Sequence, residues 1–166
     1  MTWSNFFVAT AGASAALTGL IFVGVSINLK KILDQKGLPD RALISLILLL
    51  NILTLSLFLL VPDQLAHAEG TEILLISLVA YIAVTIIDWK VQQHKDLPYR
   101  KHYTVNMVLN QVALFPYLIC GILVLSQDTT IDWPPTHYGY WLVVAILFSF
   151  IKSVIDAWVL LVEIHR

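Results

Sequence analysis

Lys152 and Asp156 are the residues of this chain best placed to do chemistry. They stand four apart in an otherwise apolar run, so a helix puts both on one face, one turn from each other. An ammonium and a carboxylate at that spacing can exchange a proton or hold a small ion. A charge deep in a bilayer costs at least about 2.5–3.5 kcal/mol unless it is paired or hydrated. The pair therefore fits an ion or proton pathway through a wet cavity. It fits equally a neutralised couple that docks its helix against neighbours. In both cases it faces protein rather than lipid.

Carboxamides at comparable depth extend the polar set. Asn51 sits midway along a second apolar run, and Asn106, Asn110 and Gln111 lie in the inner half of a third. Asn106 and Asn110 share a helix face. A polar layer of Asn51, Asn110, Gln111, Lys152 and Asp156 is geometrically possible. It would act as a relay or selectivity layer, or as interhelical glue at roughly 0.6–2 kcal/mol per hydrogen bond.

Small residues form the next pattern. Ala11, Ala15 and Gly19 are spaced by four, as are Gly12 with Ala16 and Ala9 with Ala13. Small residues at that spacing let helix backbones approach closely. They suit packing inside one protomer, a subunit interface, or a pore lining with Ser14 and Thr18. Because small residues cover nearly every face over 9–19, this helix is expected to pack centrally and to favour a homo-oligomer.

Enzyme motifs fail. Gly12-Ala13-Ser14-Ala15 superficially resembles an intramembrane serine protease loop, but that chemistry needs a histidine base at the same depth. His67, His94, His102, His137 and His165 all fall in loops or at the ends of apolar runs. His67 and His137 on one side make at most half of a metal site. There is no HExxH, paired CxxC or P-loop. No enzyme activity, cofactor or metal is expected.

The elements that carry these residues follow from composition. Apolar residues make up 58% of the 166 and charged residues 13%, against roughly half and a quarter in a soluble domain. Mean hydropathy is +0.81. A bilayer core needs about 20 apolar residues per helix, and five runs of that kind fill the chain, at residues 3–29, 42–61, 71–89, 103–125 and 138–164. Lipid offers backbone groups no partners, so the runs must be helices. The expected fold is an all-α membrane protein, a five-transmembrane-helix bundle forming a single domain over 1–166. Pro116 predicts a kink in the fourth helix. Cys120 is the lone cysteine, so an intramolecular disulfide is impossible. No cleavable signal peptide is evident, because no basic residues precede the first apolar run.

Cations set direction. The first gap holds Lys30, Lys31, Lys36 and Arg41; the third holds Lys90, Lys95, Arg100 and Lys101. The second and fourth hold Asp63, Glu69, Asp128 and Asp132 instead. The positive-inside rule puts the N-terminus outside and the C-terminus, with Arg166, in the cytoplasm. Trp3, Trp89, Tyr103, Trp133, Tyr138, Tyr140 and Trp141 fall where an interfacial aromatic belt belongs. Trp133-Pro134-Pro135 stiffens the outer loop before the fifth run. The basic loops are a topology signal that can also meet anionic headgroups. With Asp34, Asp40 and Asp96 among them they make no nucleic-acid patch.

The stretch Phe6 to Val23, FFVATAGASAALTGLIFV, continues to Ser26-Ile27-Asn28-Leu29 and resembles the start of a family of small bacterial membrane proteins. The ending, Asp156-Ala157-Trp158-Val159-Leu160-Leu161-Val162-Glu163-Ile164, is similar to theirs. The family is labelled as modulators of a membrane-bound AAA protease. The resemblance implies a multi-pass protein of the bacterial inner membrane and a membrane-protein partner, with no catalytic residues to carry over. From the residues themselves, the leading expectation is a small oligomeric ion or proton pathway. The alternative is a non-enzymatic partner or regulator of another membrane protein.

Overall fold

The computed structural model describes residues 3–34, 37–93, 100–126 and 136–164. Lys36, His94, Lys95, Asp96, Asp128, Asp132, Trp133, Pro134, Pro135, His165 and Arg166 lie outside the described residues, as do the side chains of Arg100, Lys101, His102, Tyr103, His137 and Tyr138. The fold is all-helical, with α1 Trp3–Ile27, α2 Leu29–Asp34, α3 Leu38–Phe58, α4 Ala66–Gln93, α5 Arg100–Leu125 and α6 Thr136–Ile164. Five of these, all but α2, are long and apolar enough to cross a membrane.

Several boundaries depart from the sequence reading, including those of α3, which runs Leu38–Phe58 rather than 42–61. The first apolar run is not one helix to Leu29: it ends at Ile27, and α2 follows as a separate six-residue turn. Leu29, Lys30, Lys31, Leu33 and Asp34 of α2 are exposed, while Ile32 is buried among Leu38, Ala42 and Leu160. One apolar anchor thus holds a short basic helix against the bundle. The third run extends to Ala66 and Gln93, several residues beyond hydropathy at each end. Polar residues continue a helix when a neighbour satisfies them, and hydropathy does not register that.

Gly37 starts α3. It takes a left-handed conformation (φ 92°), which a residue without Cβ tolerates. Pro39 sits in the first turn, where its missing N–H costs nothing. α3 is the central helix, packing against α1, α4 and α6. Its Leu48, Leu49, Ile52 and Leu55 are fully buried. α3, α4, α5 and α6 form a closed ring of neighbours around the core. α5 runs unbroken through Pro116.

The α4–α5 seam is the tightest. A Cβ at Gly121 would stand 3.0 Å from the Leu74 backbone, and one at Gly70 would meet Val124 at 2.9 Å. The pairs 70/124, 74/121, 85/111 and 88/110 show the two helices antiparallel.

Helix α1 does not pack centrally, contrary to the sequence expectation. It lies outside the ring, mainly against α3, tied by a Thr10–Ser56 hydroxyl pair at 2.8 Å. Ala11 faces the bundle, but Gly12, Ala15, Ala16 and Gly19 are exposed. Small side chains offer little apolar area to bury, whereas the leucines and isoleucines of α3 offer much.

Candidate functional site

The described basic residues Lys30, Lys31, Arg41 and Lys90 gather at one end of the bundle, and a buried charge cluster lies about one turn inside it. On α6, residues 142, 145, 146, 149, 152, 153, 156 and 160 are buried, one face recurring every three or four residues. That face carries Lys152 and Asp156 into the core, 4% and 1% exposed. Lys152 Nζ donates to Asp156 Oδ2. Sequence spacing anticipated this pair, and the structure closes it.

Asp88 of α4 stands with them, and the sequence reading did not single it out. It is 6% exposed, and its charge acts on Lys152. Asn110 of α5 holds it, Nδ2 donating to Oδ1 and Oδ2 at 3.0 Å each. Arg41 of α3 also reaches Lys152 electrostatically from the basic end. Three helices therefore bring two acids, one ammonium and one carboxamide together. The available signal was an acid inside an apolar run, Thr85-Ile86-Ile87-Asp88-Trp89. Trp89 made it resemble a span end.

The remaining members of the expected layer sit elsewhere. Gln111 belongs to the α4–α5 seam, where its Nε2 donates to Thr85 Oγ1 at 3.1 Å. Asn106 is half-buried. Asn51 is buried on a second level, beside the Tyr117 hydroxyl. Its two amide atoms lack partners of hydrogen-bonding geometry among the described residues. Asn51 is six residues further along α3 than Ser45, whose carbonyl meets Ser153 Oγ at 3.4 Å. At 1.5 Å per residue that is roughly 9 Å above the charges. One flat layer is thus replaced by two levels. Tyr117 and Ser149 complete the upper one, hydroxyl to hydroxyl at 3.3 Å, and Ser149 Oγ also lies 3.3 Å from the Ala113 carbonyl it can donate to.

A third polar group lies toward the opposite end. The buried stripe of α4 runs Glu69, Ile73, Ser77, Ala80, Val84, Asp88. Glu69 and Asp88 bound that one face, roughly 28 Å apart along the axis, close to a bilayer's hydrocarbon thickness of about 30 Å. Ser77 stands between them, its hydroxyl buried and without a partner among the described residues. Near Glu69, Gln64 Nε2 donates to both Glu72 oxygens, at 3.2 and 3.3 Å.

Chemically, the cluster can accept, hold and pass a proton among two carboxylates and an amine. The Tyr117–Ser149 pair can relay one, since a hydroxyl donates and accepts at once. Among the described residues no group of three or more histidine, cysteine or acidic side chains is arranged to hold a metal. The chain matches no protein-family model, no curated protein and no solved structure.

Proposed function

We propose that this is a proton pathway of the bacterial inner membrane, with its N-terminus outside and its basic end in the cytoplasm. The carrying observation is the buried cluster of Asp88, Asn110, Lys152 and Asp156. Ionisable groups inside a membrane bundle are costly, and they mark ion and proton routes. A proton arriving from the basic end protonates Asp88 or Asp156; Lys152 either stays charged beside the remaining carboxylate or gives its own proton to it. The hydroxyls of Ser149 and Tyr117, with Asn51 beside them, offer the next stations, and Ser77 and Glu69 continue the α4 stripe toward the far end. Fully buried Leu48, Leu114 and Ile146 pack the core around these groups. Such packing favours a proton, which hops between side chains, over a hydrated ion.

Purified protein in liposomes, driven by a potassium diffusion potential and read with an internal pH dye, should carry protons. Asp156→Asn and Asp88→Asn should each slow that flux about tenfold or more, the effect of roughly 1.4 kcal/mol on a barrier. Asp63→Asn, in an exposed turn, should leave it unchanged. Folded protein that carries no protons overturns the proposal.

A second reading has its own support. Gly12, Ala15, Ala16 and Gly19 face away from the protomer, and no atom lies within 4 Å of where a Cβ would stand at Gly12 or Gly19. That surface suits another helix, from a second copy or from a membrane-protein partner such as the protease that the family resemblance implies. Crosslinking in native membranes should then recover one stoichiometric species through α1, and recovery of lone protomers speaks against it.

A further inference from the structure

Helices α1 and α6 meet at the end away from the basic residues, where the Trp3 ring would lie 2.6 Å from a Cβ at Gly139. Toward the basic end they part, and an apolar groove of about 230 Å³ opens between them. Leu20 and Gly24 form one wall, Trp158 the other, Leu49 the floor, and Ile32 of α2 closes the basic end. Ser153 contributes a hydroxyl to the lining, but it is engaged with the Ser45 carbonyl.

The lining is almost wholly apolar, as a hydrocarbon chain requires. Charge selects the kind of chain. Lys30 and Lys31, both exposed, directly precede Ile32 on α2 and so put two cations beside the lining residue at the groove's basic end. Basic side chains at a membrane surface draw anionic headgroups. We propose that the groove binds an anionic phospholipid of the surrounding leaflet, one acyl chain between α1 and α6 and its phosphate at Lys30 and Lys31. The site is separate from the proton route, and its test does not depend on flux.

Trp158 reports on it. The full chain is placed in phosphatidylcholine vesicles containing a minor share of phosphatidylglycerol, with bromine on the acyl chains of one lipid at a time. The component of quenching lost in Trp158→Phe belongs to Trp158. Per mole of brominated lipid, phosphatidylglycerol should quench that component at least about threefold more than phosphatidylcholine. Lys30→Gln with Lys31→Gln, both exposed and so harmless to folding, should bring the ratio to about one. Gly24→Leu, where the groove leaves room for a side chain, should lower quenching by both lipids. Equal quenching by the two lipids overturns the proposal. So does a preference that survives removal of the lysines, or quenching unmoved by Gly24→Leu.

Discussion

Lys152 is the one ammonium in a cluster with two buried carboxylates, Asp88 and Asp156, and that imbalance makes it the residue on which the cluster turns. With it, Asp156 is paired and Asp88 has a cation within electrostatic reach. Without it, Asp156 loses its ion-pair partner, while Asp88 keeps Asn110. Lys152→Met should therefore destabilise the protein by about 3–5 kcal/mol, the usual loss when one partner of a buried pair is removed. Lys152→Met combined with Asp156→Leu should recover much of that loss, because an apolar pair needs no neutralisation. Unfolding titrations in mixed micelles measure both. Equal destabilisation of the single and double variants would mean that Asp156 is not what Lys152 neutralises. The sequence made this pair legible, since a spacing of four has one reading on a helix. Asp88 was hidden by its neighbour Trp89, whose ring belongs at an interface and drew the span's end to itself. The helix continues to Gln93 and carries Asp88 inside. Asn51 was misplaced for a related reason: a sequence gives depth along each helix but not the axial offset between helices, and a shift of six residues moves a group by roughly 9 Å.

At the scale of elements, glycine has two opposite roles. Gly121 and Gly70 let α4 and α5 touch backbone to backbone, while a Cβ at Gly12 or Gly19 would meet no other element of the protomer. Gly121→Ala should cost about 1–3 kcal/mol, because its Cβ would press on a backbone that cannot turn aside. Gly12→Ala should leave protomer stability within about 1 kcal/mol of wild type, with the helical preference for alanine as its main effect. Gly12→Leu with Ala16→Leu should spare the protomer but weaken whatever covers α1, read by crosslinking yield. If Gly12→Ala proved as damaging as Gly121→Ala, α1 would be buried in a way the protomer does not contain. The small-residue block was the most conspicuous pattern in the sequence, and its spacing did signal a surface open to close approach. It did not say which helix would use it. Packing is decided by what competes for the centre, and α3, with its fully buried leucines and isoleucines, buries more apolar area than a stripe of alanine and glycine.

For the whole molecule, the question is which way the charge-bearing end faces. Five helices of spanning length were readable from hydropathy alone, because lipid admits no other element at that length. Direction rests on cations: Lys30, Lys31, Arg41 and Lys90 share the end that holds the Asp88 cluster. The orientation proposed from the positive-inside rule would set that cluster toward the cytoplasm and Glu69 toward the exterior. Cysteine labelling decides it. Cys120 is fully buried and should stay silent toward a membrane-impermeant maleimide. Leu65→Cys, exposed in the turn between α3 and α4, should react in intact cells. Gln93→Cys, exposed at the basic end of α4, should react only after the membrane is opened. The reverse pattern would turn the bundle over and present the lysine-acid cluster to the outside. A proton would then meet Glu69 first from the cytoplasm, and the groove at Lys30 and Lys31 would draw on the outer leaflet, whose supply of anionic lipid is the poorer. Labelling therefore decides orientation, and with it the side from which each proposed site is filled.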